Sequence, residues 1–327
     1  AIGTVPHRMI YDKERIVVEA DEQVEFRFAN IDAMPHNFAI LRPGALQEVG
    51  ELAEATSTAP DAMARNYIPE SQKVLLASRL LQPGENQTLS FKAPNVPGVY
   101  PYVCTYPGHW RRMFGTLYVV KNLEDYQADP QAYLATQELP IQDDLLKTSS
   151  RNHEWTFDEL ISEVRTLPPG RSFEVGKQLF KVASCVGCHR LDNEGYVFGP
   201  DLAKLDDKKH TTEYLLRSLI DPSHDIDPKY QAHTFFLDSG LSKMGMIVEK
   251  TEKEVKIMVD PLAKGEPTIL LTEEIEEQEP SKISPMPSGL LNRLTREEIL
   301  DLIAFVYARG NSKDKMYSAG QHHHHKH

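Results

Sequence analysis

Apolar and β-branched residues fall in short runs over the first 120 positions: Arg15–Val18, Val24–Phe28, Asn37–Leu41, Thr88–Phe91, Val99–Val103 and Thr116–Val120. Pro, Gly, Asn and Asp punctuate the gaps between them. Short strands with regular turn signals predict a β-sandwich or barrel over 1–120. The stretch from Leu46 to Ala64 is richer in Ala and Glu and predicts a helical insertion.

The pattern breaks at 121–170, where Pro130, Pro140, Pro168 and Pro169 interrupt two short helical candidates, Pro130–Thr136 and Thr156–Val164. This reads as a partly helical linker. Its Leu145, Leu146, Trp155 and Phe157 predict that it packs on one or both flanking domains. From 171 the period becomes helical. Phe173, Gly176, Leu179, Phe180 and Ala183 share one face. A second helix, Tyr214–Ile220, stops at Asp221-Pro222. Strand patterns return between about 226 and 283, and a last helix opens after Thr295, with Glu298 completing a capping box and Gly310 ending it. The expected layout is therefore a multidomain chain. An all-β domain spans 1–120, a linker 121–170, a mainly α domain with a β-rich insertion 171–312, and a tail 313–327.

The length of 327 residues accommodates two domains. Acidic residues outnumber basic ones 48 to 36, for a net charge of −12. Such a balance repels nucleic acid and anionic membrane. No run approaches the roughly 18 apolar residues of a membrane span. The chain begins at Ala1 with no Met, as expected of a chain whose signal peptide has been removed, and the run His322–His325 with His327 reads as an imperfect affinity tag. The three cysteines, Cys104, Cys185 and Cys188, are an odd number for a disulfide framework.

Each cysteine falls in a motif with its own chemistry. Cys104-Thr-Tyr-Pro-Gly-His109-Trp-Arg-Arg-Met113 places a thiol, an imidazole and a thioether on one loop, and His36 lies upstream in Met34-Pro35-His36-Asn37-Phe38. Two His, one Cys and a weak axial Met make the trigonal blue-copper set, in which soft donors favour Cu(I) and imidazoles suit Cu(II). A zinc site fits less well, because Met is a poor zinc ligand. These two segments resemble the ligand loops of the cupredoxins, with the C-x4-H-x3-M spacing of azurin. The resemblance covers about 8–120 and departs from azurin at Pro35, where Gly is usual. It implies a Greek-key sandwich, one type 1 copper on His36, Cys104, His109 and Met113, and Asn37 tying the two ligand segments together. It also implies that His109 is the solvent-exposed point of electron entry, collared by Met34, Pro35, Pro107 and Trp110, with core packing the alternative for Trp110.

Cys185-Val-Gly-Cys188-His189 is the C-x-x-C-H signature of covalent haem attachment, with His189 as axial ligand. The helices on either side resemble the crossing terminal helices of class I cytochromes c. The strand-rich insertion is similar to that of the haem-binding domains frequent in planctomycetes and verrucomicrobia, over about 172–310. That resemblance implies one haem c, Pro200 as acceptor for the His189 ring N–H, and a Met sixth ligand in a loop before the last helix. Met286, framed by Pro285 and Pro287, holds that place; Met244, Met246 and Met258 lie in strand patterns, and His210, His224 and His233 are the other candidates.

Both motifs move single electrons. The expectation is an extracytoplasmic, periplasmic-type electron carrier, exchanging electrons between its two centres and with external redox protein partners, and with a homo-oligomer left open. The alternatives are a haem-copper reductase of a small molecule such as nitrite or peroxide, and a subunit of a larger oxidoreductase.

Overall fold

The computed structural model describes residues 1–147, 152–195, 198–259 and 267–317. The His-rich tail lies outside the described residues, as do the middle of the linker and part of the insertion. The chain divides into two units, Ala1–Ser150 and Arg151–His327.

The first unit is a two-sheet sandwich. Its strands are β1 (Ile2–Val5), β2 (Ile10–Tyr11), β3 (Arg15–Glu19), β4 (Gln23–Ala29), β5 (Ala39–Leu41), β6 (Val74–Ala77), β7 (Asn86–Lys92), β8 (Gly98–Val103) and β9 (Phe114–Val120). One sheet runs β2-β1-β4-β7 and the other β3-β9-β8-β5-β6. The strands alternate as their sequences dictate: Phe26 and Phe28 of β4, and Leu89 and Phe91 of β7, turn inward, while Glu25, Arg27, Thr88 and Ser90 turn outward or lie partly exposed. Tyr11, Phe28, Phe38 and Tyr102 interlock at centroid distances of 5.3–6.1 Å in the core. Pro101 lies inside β8, where a missing N–H is costly, but β5 pairs with β8 only at Tyr102 and Val103.

The helical insertion is shorter than its composition suggests. Helix α1 is Leu46–Ala55, and turns follow it, with Asn66 and Tyr67 at positive φ. Thr56 ends it by turning its hydroxyl back to the Leu52 carbonyl. At its other end, Ala45 offers no capping side chain. The buried Asp143 carboxylate takes that role instead, accepting the N–H groups of Gly44 (2.9 Å) and Leu46 (2.8 Å). Asp143 precedes α4 (Asp144–Lys147), which follows α2 (Leu123–Ala128) and α3 (Pro130–Thr136). Tyr126, Tyr133 and Leu146 from these helices join the cluster of Leu46, Val49, Val103, Trp110 and Phe114. The first part of the linker thus packs on the sandwich. Asp143→Ala leaves two N–H donors unsatisfied and is expected to destabilise the first unit by about 1–3 kcal/mol. A lowered urea midpoint in Trp110 fluorescence checks this.

The second unit is built on α5 (Phe157–Thr166), α6 (Phe173–Val182), α7 (Thr212–Ile220) and α8 (Arg296–Tyr307). Capping boxes open α5 at Thr156/Glu159 and α8 at Thr295/Glu298. Trp155, Phe157, Leu160 and Val164 pack here, with Phe180, Leu216, Leu291, Ile303 and Phe305. Helices α6 and α8 cross at Gly176, where an added Cβ would stand 2.4 Å from the Asp301 carbonyl oxygen and 2.7 Å from the Phe305 Cβ. Gly176→Ala therefore forces the helices apart, and overpacking of this kind costs about 1–3 kcal/mol. A lowered midpoint for the second unit, in far-ultraviolet circular dichroism, checks it.

The insertion is an antiparallel five-stranded sheet that follows a two-stranded β10 (Arg190–Leu191) and β11 (Glu194–Gly195) ribbon. Its strands, β12 (Ala232–Leu237), β13 (Ser242–Lys250), β14 (Glu254–Met258), β15 (Thr268–Leu271) and β16 (Ile275–Pro280), run in the order β15-β14-β13-β12-β16. Phe235, Leu237, Val255, Ile257 and Leu270 give it a small core of its own.

Candidate functional sites

Cys104 follows β8 directly, and the loop it opens closes at Phe114, the first residue of β9. Backbone bonds knit that loop: Cys104 N–H donates to the Met113 carbonyl (2.9 Å), Met113 N–H to that of His109 (2.8 Å), and His109 N–H to that of Tyr106 (3.0 Å). Gly108 adopts φ 79°, a conformation that side chains resist. His36 is held from the other segment by a reciprocal pair of backbone bonds with Leu81.

The two segments bring His36 Nδ1, Cys104 Sγ and His109 Nδ1 within 4.8 Å of one another, all buried. Sγ lies 3.9 Å from the first nitrogen and 3.5 Å from the second. This is the only such cluster of His, Cys, Asp and Glu among the described residues. Met113 is fully buried on the same loop. Asn37 bridges the segments: its Oδ1 accepts the Thr105 N–H (2.8 Å), and its Nδ2 donates to Thr105 Oγ1 (3.0 Å) and to the Asn66 carbonyl (2.7 Å). Burial holds the His109 imidazole well below its ordinary pKa, so the ring stays neutral with a lone pair to offer. Two imidazoles and one thiol, converging where all three side chains are shielded from solvent, fit a borderline-soft metal ion.

Two expectations fail around this loop. His109 is wholly buried rather than exposed, with the Tyr106 ring edge-on at 5.1 Å. Trp110 forms no exposed collar. It packs against α1, where Gly50 leaves no room for a Cβ beside the indole, and its Nε1–H donates to Glu54 (3.2 Å). Sequence reasoning also missed Asp32. Its carboxylate stands 3.0 Å from His36 Nε2, both side chains being almost completely shielded. Burial raises its pKa, but hydrogen bonds from His36 and from the His7 and Ala33 N–H groups outweigh that and hold it below the usual carboxylate value.

In the second unit, α6 runs into a tight turn, Cys185–Gly187, with Cys188 N–H and His189 N–H both donating to the Cys185 carbonyl (3.1 and 2.8 Å). One turn thus presents two half-buried thiols and an imidazole, and all three cysteines are free of disulfides. His189 Nδ1–H donates to the Pro200 carbonyl (3.0 Å), which leaves Nε2 as the ring's ligating nitrogen. Gly199 lies so close to the ring that an added Cβ would be 2.6 Å from Cε1. The Phe198 and Gly199 N–H groups bond the Cys188 carbonyl (3.0 and 2.8 Å), pinning this strap to the motif. These features fit a haem carried on two thioethers.

Met286 is half-buried in the loop between β16 and α8, its N–H bonded to Ser284 Oγ (3.1 Å). Met244, Met246 and Met258 lie in β13 and β14. His210 bonds the Tyr307 carbonyl, and His233 belongs to β12.

A cupredoxin β-sandwich followed by a helical cytochrome c domain makes this a two-domain electron-transfer protein. Residues 2–120 match the model of the copper-binding proteins of the plastocyanin/azurin family, and 173–260 match that of cytochrome c. Auracyanin-A of Chloroflexus aurantiacus is 34% identical over 119 residues, which cover 36% of this chain and 72% of that protein. Azurin of Achromobacter denitrificans is 27% identical, over 32% of this chain and 72% of its own. The solved structure of auracyanin A, a blue copper protein, is 33% identical over 36% of this chain and 95% of its own, at a TM-score of 0.34. The chain belongs, through its first domain, to the plastocyanin/azurin family. Its domains imply one type 1 copper and one covalent haem c. No described helix is long and apolar enough to cross a membrane.

Proposed function

We propose that this protein is an extracytoplasmic electron carrier, not an enzyme, that exchanges electrons between a copper centre and a haem centre on one chain and passes them to redox protein partners. His36, Cys104, His109 and Met113 hold the copper. Cys185 and Cys188 carry the haem, and His189 and Met286 supply its axial ligands. The observation that carries this reading is the convergence of two imidazole nitrogens and one thiol sulfur, within 4.8 Å and fully buried, in the same chain as a C-x-x-C-H turn.

When bound, copper cycles between Cu(I) and Cu(II) and haem iron between Fe(II) and Fe(III). The chain's part is to keep the ligands still. The backbone bonds of the 104–113 loop and the Asn37 bridge hold the segments that carry the donor atoms, so little rearrangement would accompany a change of charge on the metal. The Pro200 carbonyl does the same for the His189 ring. Carrying both centres on one chain gives each a high effective concentration at the other. Covalent haem attachment and copper loading both suit an extracytoplasmic compartment. The net charge of −12 favours partners with a basic face.

A redox titration followed by visible and electron paramagnetic resonance spectra tests the reading. The expected result is one axial type 1 copper signal and one low-spin haem, each titrating as a one-electron couple. After rapid reduction of one centre, re-equilibration should be first order and independent of protein concentration. A high-spin haem that turns over nitrite or peroxide would overturn the carrier reading. A rate proportional to protein concentration would overturn exchange within one chain.

A further inference from the structure

The two imidazoles that face Cys104 are backed differently. His109 Nε2 is buried and, among the described residues, has no hydrogen-bond partner. His36 Nε2 has a buried carboxylate 3.0 Å away, Asp32 Oδ2. That carboxylate is built into place. Its Oδ1 accepts the N–H groups of His7 (3.0 Å) and Ala33 (2.7 Å). The Asp32 N–H is held in turn by Thr4 Oγ1 and Asn30 Oδ1, each at 3.0 Å. Asn30 Nδ2 donates to the Met34 and Leu81 carbonyls (2.7 and 2.9 Å), locking the same turn to the Leu81 segment that bridges His36.

We infer that Asp32 is a positioning residue for the copper centre, fixing the His36 tautomer and orientation and biasing the bound metal toward its divalent state. The inference rests on the copper reading given above. An ionised carboxylate only accepts hydrogen bonds, so the imidazole proton must sit on Nε2. The Nδ1 lone pair is then directed toward Cys104 and the converging donors. A ligand hydrogen-bonded to a carboxylate is also the more basic donor. Its negative charge lies in a shielded place where attraction is little screened, and it attracts a doubly charged ion more than a singly charged one. The cost of burying that charge is offset by the bonds from His7, Ala33 and His36. Asp32 therefore lowers the copper reduction potential, and among the described residues no carboxylate backs His109 in the same way.

Asp32→Asn tests this, because it keeps the size and removes the charge. The intense thiolate-to-copper band should persist. The preference for Cu(II) over Cu(I) should fall about tenfold, which raises the potential by about 59 mV for a one-electron couple. The haem midpoint, read in the same titration, should stay where it is. A retained band with an unmoved copper potential would overturn the inference and leave the copper reading standing. Absence of that band from the unmodified, copper-loaded protein would overturn both. Should Asp32→Asn fail to fold, the unmodified copper(I) protein decides through its imidazole nitrogen spectrum. A slowly exchanging, strongly downfield His36 Nε2 proton supports the inference, and a freely exchanging one overturns it.

Discussion

Cys104→Ser should abolish the intense thiolate-to-copper absorption completely while leaving the haem spectrum as it was. The band arises from charge transfer out of a copper–thiolate bond, and among the described residues only Cys104 presents a sulfur to two imidazoles. Cys185 and Cys188 lie in the other unit and are committed to a different motif. A hydroxyl is a harder donor that stays protonated near neutral pH, so Ser restores neither the bond nor the colour. The fold should survive the change. The bonds that close the loop, from the Cys104 N–H to the Met113 carbonyl and from the Met113 N–H to the His109 carbonyl, use backbone alone. The serine side chain is only slightly smaller than the thiol it replaces, at a position with 0% exposure. The measurement is an absorption spectrum of the copper-loaded variant beside that of the unmodified chain, normalised to haem. Survival of the band would place the thiolate elsewhere and remove the copper assignment.

How much of this was legible in the sequence varies with how local the information is. The C-x4-H-x3-M and C-x-x-C-H motifs are contiguous, and their donors meet through one loop or one turn. The Thr295/Glu298 cap is equally local, and the structure forms it as written. Asp32 was not legible, because a carboxylate four residues before a histidine has no meaning until the turn at 30–36 folds back on Leu81. Nor was the role of Asp143, which caps a helix that begins 97 positions earlier and owes its effect to packing. Trp110 read from the sequence either as part of an exposed collar or as core. Only the presence of α1, with a glycine where the indole lies, turns it into core. The short strands β1, β2 and β6 also escaped notice. Two to four residues carry too little alternation to signal a strand, and their pairing with β4 and β5 defines them instead.

Met286→Ala should convert a haem that binds carbon monoxide slowly into one that binds it fast, and should lower its potential. The loop that carries Met286 is tied at several points. Ser281 N–H donates to the Ala232 carbonyl (2.8 Å), Ser284 N–H to Ser223 Oγ (3.1 Å), and Met286 N–H to Ser284 Oγ (3.1 Å). Leu291 and Leu294 then enter the helical core just ahead of α8. None of these contacts uses the Met286 side chain, so truncating it should leave the loop in place. A thioether bound to iron must leave before another ligand can enter, and apparent affinity falls with the fraction of open sites. Every 1.4 kcal/mol in that bond closes tenfold more of them, so a bond of about 2.8 kcal/mol predicts a difference of about a hundredfold. Methionine ligation raises haem potentials, which fixes the sign of the second effect. Stopped-flow mixing of the dithionite-reduced proteins with carbon monoxide reads the first effect, and a midpoint titration reads the second. If the unmodified protein already binds carbon monoxide as fast as the variant, Met286 is not the sixth ligand. The His189 face then opposes an open position, and the reductase reading gains what the carrier reading loses.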